Sequence, residues 1–480
     1  MKLDGNAINN VLTEETENGA TAYTSTNYAI VDFNFKVPFY RTQSVKDIQL
    51  DFAKVYYENP LLALKDLFYL GDIREGLGER KIFKAGLAWL CEHEPEVANK
   101  IIPLIPEYSR WDVVVGLGPD NLIAVKTVLE QLQSDLENMG QGKAISLLGK
   151  WMPSINTSSK ETRAEARKWV KLLKVSEKEY RKVLSALRAY LDVVEVKTST
   201  RQWDKINYSA VPSVANLKYN YAFMRHDRER REEYLASLKN GETKVNASVL
   251  YPHQIVAKYE YLDTEDTLLE EAWKRLPTYS AGDTLVVRDG SGSMTGLPLQ
   301  VATALAIYTA QKNTGVWHNK FLTFSAFPEL VDITGANSLL DALHICERYY
   351  DCSNTNIEAT MKLILDAAVA AKAELPDSIV IISDMQFDAT QHGNDKTNFE
   401  QIAKMYVEAG YVLPRMVFWN VSTYNHALVQ LKSNADGLVE MSGFSVALLK
   451  QVLSNKTDPY EVLCDTLDVP RYNKILEVLD

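Results

Sequence analysis

Cysteine is scarce in this 480-residue chain, and the four present (Cys91, Cys346, Cys352 and Cys464) form no C-x-x-C pair. That spacing gives no zinc or dithiol redox motif and reads as reduced thiols in a cytoplasmic protein; Cys346 and Cys352 alone lie close enough in sequence to leave a disulfide open. Long apolar runs are also missing. No stretch approaches the roughly 18 uninterrupted apolar residues of a membrane helix, and the start, MKLDGNAINNVLTEETENG, lacks the apolar core of a secretory signal. No membrane partner is expected. A positive overall balance is absent too: 52 Lys and Arg stand against 63 Asp and Glu, a net charge of −11. As a whole-protein signature this argues against nucleic acid. What is there, 46% hydrophobic and 24% charged residues, is ordinary globular composition, in a chain long enough for roughly two to four domains.

The negative charge is uneven. From Lys160 to Lys244 the chain carries 20 Lys and Arg against 12 Asp and Glu. A positive middle in an acidic protein suits either a local anion-binding face or a solvated helix surface. Residues 1–45 read as an amino-terminal arm, ending in the alternating stretch NYAIVDFNFKVPFY, a candidate strand or a segment lying against the body. From 46 to about 275 the apolar spacing is helical, with Leu61, Leu64, Leu67 and Phe68 on one face and Leu122, Val125, Val128, Leu129, Leu132 and Leu136 on another. Proline and glycine punctuate helices of about 10 to 18 residues. Many medium helices with short joints predict a HEAT-like helical array.

Character changes at Asp283. TLVVR, KFLTFS, LVDI, SIVIIS, RMVFWNV and GLVEM are short apolar strands, several alternating with helices such as PLQVATALAIYTAQK and NIEATMKLILDAAVAAK. Strands apolar throughout predict a mostly parallel sheet covered on both faces, an open, doubly wound (Rossmann-like) domain over 283–455, with a carboxy-terminal tail at 456–480. The fold class is thus α plus α/β, multidomain.

Ligands in such sheets collect beyond the carboxyl ends of the strands. Three loops there carry oxygen side chains: Asp289-Gly290-Ser291-Gly292-Ser293, then Ser353-Asn354-Thr355-Asn356, then Asp384 with Asp388 beyond it. Carboxylates and hydroxyls are hard donors that suit Mg2+, Mn2+ or Ca2+, with Mg2+ favoured. Few carboxylates around such an ion leave it electrophilic, ready for an Asp or Glu from a partner protein. Neither Ser291 nor Ser293 sits in a G-x-S-x-G elbow or has a histidine near it in sequence, so no nucleophile, and no enzyme, is predicted. GLGER at 76–80 follows no strand and is not a dinucleotide fingerprint.

The run DGSGSM, Thr355 and Asp384 resemble the three-part metal-ion-dependent adhesion motif of the von Willebrand factor A family. The resemblance implies Asp289, Ser291, Ser293 and Thr355 as metal ligands, and Asp384 as a direct or water-mediated one. Arg288 before the aspartate and the small Gly290 depart from that pattern. A helical array followed by one A-type domain resembles the Ro autoantigen family, whose RNA-binding TROVE module is a ring of HEAT-like helices. LFYLGDIREGLGERKIFKAGLAWL and YSRWDVVVGLG are similar to Ro segments, and LLGKWMPS, EYRKVLSALRAYLDVVE and YSAVPSVA are similar to an uncharacterised Ro-related branch. The resemblance implies non-coding or misfolded RNA as a partner.

The residues lend this support of their own. Lys160, Arg163, Arg167, Lys168, Lys171 and Lys174 are the cations of one helix, most of them on a stripe opposite Trp169, Leu172 and Leu173, and further on Tyr219, Tyr221 and Phe223 interleave with Arg225, His226, Arg228, Arg230 and Arg231. Such a mix neutralises phosphates and stacks bases, although aromatics at this spacing also build cores. Arg74 and Arg80 are expected to fix a helix turn through Asp72 and Glu79. The leading expectation is a non-catalytic RNA-binding protein with a metal-dependent adhesion site; the alternative is a metal-dependent interaction scaffold without RNA.

Overall fold

The computed structural model describes residues 13–15, 21–23, 25–26, 28–247, 250–278, 283–349, 355–387, 398–421, 438–445, 448–449, 458–477 and 479. The chain forms two compact units, each built from separated stretches: Met1–Asp66 with Leu250–Pro470, and Leu67–Val249 with Arg471–Asp480.

The second of these is helical among its described residues, and its elements start and stop where the side chains require. The Lys160–Leu173 helix opens at Ser159, whose Oγ accepts the Thr162 N–H at 3.1 Å, and closes at Lys174 in the left-handed region (φ 55°). The Glu177–Tyr190 helix opens with a reciprocal Ser176–Glu179 box. Each buries a narrow apolar face: Ala166, Trp169 and Val170 on the first, Tyr180, Leu184 and Leu187 on the second. GLGER turns one helix into the next. A side chain at Gly76 would place its Cβ 1.9 Å from the Tyr69 carbonyl oxygen, so only glycine permits that approach. At this turn Asp72 takes the Arg74 backbone N–H at 2.9 Å, while its carboxylate is held by Arg471 and Tyr472 of the Pro470–Glu477 helix. Arg74 meets Asp72 through its backbone N–H, its Nη1 donates to the Glu107 carbonyl at 2.5 Å, and Arg80 faces Asp112 at 3.8 Å.

The other unit carries a short antiparallel pair, β1 (Thr13–Glu15) with β2 (Thr21–Tyr23), and a six-stranded sheet. The sheet's strands are β3 (Thr284–Asp289), β4 (Lys320–Phe324), β5 (Leu330–Asp332), β6 (Ser378–Ser383), β7 (Arg415–Asn420) and β8 (Leu438–Ser442). Their order is β5-β4-β3-β6-β7-β8; β5 runs antiparallel to β4, and the other neighbours are parallel. Every residue of β3 and β6 is buried, as strands covered on both faces must be. Leu285, Val287, Ile379 and Ile381 pack with Met361, Leu365, Ile402 and Tyr406 on one face. The Leu297–Lys312 helix lies against β3 and β4.

Two sequence expectations change here. NYAIVDFNF is not a strand: Ala29–Phe35 is helical, burying Ile30, Val31, Phe33 and Phe35. Its last carbonyls take hydrogen bonds from Ser442 Oγ and, at 2.8 Å, from Asn420 Nδ2, which ties it to the ends of β7 and β8. It therefore lies against the sheet, within the same unit. The compact units also cut across the linear segments 46–275, 283–455 and 456–480. Pro252–Tyr259 and Thr267–Lys274 belong with the sheet, where Trp273 Nε1 bonds Gln311 Oε1 at 2.8 Å and Glu270 accepts the Leu339 N–H at 2.8 Å. The tail is divided between the units at Pro470. Among the described residues no helix is long and apolar enough to cross a membrane.

Candidate metal centre and basic face

The strand order builds the centre. The chain steps outward from β3 through β4 to β5, then returns to the other side of β3 with β6. The reversal makes the carboxyl ends of β3 and β6 the switch point of the sheet, the position where open α/β sheets hold ligands. Asp289 ends β3 and Asp384 follows β6, and the parallel register Arg288↔Ile382 brings the two ends level.

Both carboxylates are buried, Asp289 completely. Asp289 Oδ1 accepts the Ser291 N–H at 2.9 Å, and Oδ2 accepts the Ser383 hydroxyl at 2.5 Å. Burial first, and the nearby Asp384 charge second, lift Asp289 well above the usual carboxylate range despite these bonds. Ser291 Oγ lies 3.0 Å from Ser293 Oγ, and Ser293 is exposed, so the site opens to the surface on that side. Buried Thr355 donates to the Gln386 carbonyl at 2.6 Å, and the Gln386 N–H reaches Asp384 Oδ1 at 3.3 Å. Met385, between them, is left-handed (φ 67°) and donates its N–H to Ser383 Oγ at 3.1 Å. A non-glycine residue held there carries local backbone strain.

The three predicted loops thus meet at one end of the sheet. Ser353, Asn354, Asp388 and Cys352 lie outside the described residues. Asn356 caps the Ile357–Ala371 helix through the Ala359 N–H at 2.8 Å. Arg288 turns away from the acid pair: its guanidinium donates to Thr303 Oγ1 at 3.3 Å and to the Tyr349 carbonyl at 3.2 Å. Sequence reading missed Ser383 and Gln386. Ser383 looks like the last residue of an apolar strand, and only the pairing of β3 with β6 puts its hydroxyl on Asp289.

No group of three or more His, Cys, Asp or Glu side chains suited to a metal occurs among the described residues. A cation here would rest on two carboxylates with hydroxyls and backbone oxygens. That donor set fits a hard divalent ion, and a buried Asp289 carboxyl raised by burial and by the nearby Asp384 charge is the electrostatic situation such an ion relieves.

The basic face lies in the helical unit. Lys160, Arg167, Lys168, Lys171 and Lys174 are exposed, while Trp169 is fully buried on the opposite side. Arg163 is half-buried and structural, its Nη1 donating to the Thr157 carbonyl at 2.5 Å and the Ser158 carbonyl at 3.0 Å. Arg167 pairs with Glu177 at 3.2 Å. Arg225, His226 and Arg228 are exposed, but His226 stacks on Trp203 (4.5 Å between centroids) and Arg228 pairs with Glu232 at 2.7 Å. The aromatic and cationic run around them divides. Tyr221 is 78% exposed, whereas Phe223 and Arg231 are fully buried. Arg231 sits among the Tyr208, Phe223 and Tyr234 rings and bonds Asn216 and Asn220, so it belongs to the core.

A unit helical among its described residues, joined in one chain to a mostly parallel sheet with acid and hydroxyl side chains at its switch point, defines the architectural class. Comparison with known proteins finds two matching domains, whose bounds differ from those of the compact units. Residues 283–467 match the domain of unknown function DUF7788, and residues 16–106 with 156–278 match the domain of unknown function DUF2828. The chain is similar to "Uncharacterized protein L728" of Acanthamoeba polyphaga mimivirus, 32% identical over 499 residues that span 94% of this chain and 87% of that protein. The chain belongs to the same family as that mimiviral protein.

Proposed function

We propose that this is a non-catalytic RNA-binding protein of the Ro type, with a TROVE- and HEAT-like helical unit that holds non-coding or misfolded RNA. The sheet unit is read as a von Willebrand factor A-like domain. In this reading Asp289, Ser291, Ser293, Thr355 and Asp384 would hold a divalent cation, preferably Mg2+. The ion's open position would take an Asp or Glu side chain from a partner protein. What supports the adhesion site most is the meeting of Asp289 and Asp384 at the sheet's switch point, with Thr355 bonded to the loop after Asp384. Exposed Lys160, Arg167, Lys168, Lys171 and Lys174 support the RNA half.

The test is retention of RNA by the purified chain at low and moderate salt. Binding through phosphates must weaken steeply as salt rises. Absence of RNA retention at low salt would refute the RNA reading.

A second reading is a metal-dependent interaction scaffold without RNA. The net charge of −11 favours it, as does the engagement of Arg163, Arg167 and Arg228 by the chain's own oxygens. A partner released by EDTA but indifferent to ribonuclease would select this scaffold.

A further inference from the structure

Within the helical unit three cations converge on one carboxylate. Asp112 takes Arg110 Nε at 2.8 Å and Nη2 at 2.6 Å, with Lys84 Nζ at 3.4 Å and Arg80 Nη1 at 3.8 Å. Burial alone would raise the Asp112 carboxyl, but the Arg110 hydrogen bond and the charges of Arg110, Lys84 and Arg80 outweigh it and hold it low. One carboxylate offsets one of three positive charges. The Arg80 and Lys84 side chains are 47% and 46% exposed, so the excess faces solvent. Burial raises the Glu165 carboxyl while the Lys84 and Lys168 charges pull it back, so Glu165 stands between this cluster and the exposed stripe of the Lys160–Leu173 helix and offsets part of their charge.

Trp151 stands beside the cluster. The Arg110 guanidinium lies 3.9 Å from its ring centroid and Lys150 Nζ lies 5.8 Å away. The same indole lines a cleft of about 660 Å³ whose walls include Ser154, Asn156, Thr157 and Ser158. That volume lies within the roughly 300–1,000 Å³ of small-molecule sites. Lys150, Arg188 and Glu195 also line the cleft, and its walls are braced by two arginines. Arg188 bonds the Gly149 and Met152 carbonyls and Ser154 Oγ at 2.7–2.9 Å, and Arg163 holds the 157–158 backbone.

We propose that this cleft and the cationic cluster form the seat for a short single-stranded RNA segment. Phosphates lie against Arg80, Lys84 and Lys168, and an unpaired base enters the cleft beside Trp151. The inference rests on the RNA reading above and gives it a location that the basic stripe alone does not. Cations that track a backbone beside an aromatic ring and neutral hydrogen-bonding groups are the chemistry of single-strand binding. An acidic peptide would satisfy the cluster but would offer no base edge to the hydroxyls and amide of the cleft.

The experiment uses the full chain and a fluorescein-labelled 12-nucleotide oligouridylate, with anisotropy measured over a range of salt. Lys84→Glu with Lys168→Glu should weaken binding about tenfold and flatten the salt dependence by roughly 1.4 logarithmic units per decade, two phosphate contacts at about 0.7 each. The Lys84→Arg, Lys168→Arg pair should bind as the parent does, and Lys126→Glu on the Leu122–Gly140 helix should have no effect. Thermal melting checks that each variant is folded. With 4-thiouridine in the oligonucleotide, ultraviolet crosslinks should fall within residues 150–158. Parent binding that is insensitive to the Glu pair, or crosslinks found only elsewhere, would overturn this seat and leave the RNA reading standing. A parent chain that binds no oligouridylate at low salt removes both. Polyphosphate or polyglutamate competing as well as unlabelled oligouridylate would make the patch a general anion surface and overturn the base-binding cleft.

Discussion

Replacing Arg471 by Met strands a carboxylate deep in the helical unit. Asp72 is 0% exposed and Arg471 18% exposed, and the guanidinium donates to both Asp72 oxygens. Without it Asp72 keeps two donors, the Tyr472 hydroxyl at 3.1 Å and the Arg74 N–H at 2.9 Å. Breaking a buried pair costs about 3–5 kcal/mol, because the remaining charge has neither water nor counter-ion. The two surviving donors place this case near the lower end, about 3 kcal/mol. For a unit of this size that lowers Tm by roughly 6–12 °C. Urea unfolding followed by circular dichroism measures the loss. The companion Asp72→Asn, Arg471→Met removes the stranded charge and should recover more than half of it. A loss below about 1 kcal/mol in the single variant, or a double variant no more stable than the single, would refute the reasoning.

Two further outcomes follow from other positions. Burial, assisted by the Arg41 charge, pushes His253 down to about 3, so the folded state keeps it neutral while the unfolded chain takes up a proton below the ordinary histidine value of 6.5. Stability is therefore lost as pH falls from about 6.5, by about 2 kcal/mol at pH 5. Urea titrations at pH 7.5 and 5 should show that loss shrinking by about that amount in His253→Gln, and equal pH dependence in both proteins would contradict it. Gly76→Ala should destabilise severely, by more than about 3 kcal/mol, because the new Cβ meets the Tyr69 carbonyl. Gly118→Ala, at φ +79° in open space, should cost only about 1 kcal/mol, and similar melting of the two variants would contradict the steric argument.

The sheet was legible because its strands are buried on both faces, and TLVVR and SIVIIS carry that condition as uninterrupted apolar runs. The acid pair was legible because residues after such strands collect at one sheet edge. Ala29–Phe35 was not. It is a seven-residue helix whose apolar residues alternate, and it is held by Ser442 and Asn420 from the far end of the chain. Arg231 looked like a surface cation, since charge in a sequence says nothing of rings that fold around it. The Asp72–Arg471 pair and the convergence of Arg80, Lys84 and Arg110 on Asp112 depend on which helices pack together, and periodicity does not specify that. The basic stripe was read correctly as exposed, yet Arg163 proved to be part of the backbone scaffolding of the Trp151 cleft.

The most direct test of the central claim is calorimetric titration of the metal-stripped chain with Mg2+. One binding event per chain is predicted, lost in Asp289→Asn and in Asp384→Asn while both variants keep the parent's circular dichroism. Heats indistinguishable from dilution, or binding unchanged by either substitution, would contradict a cation held between β3 and β6.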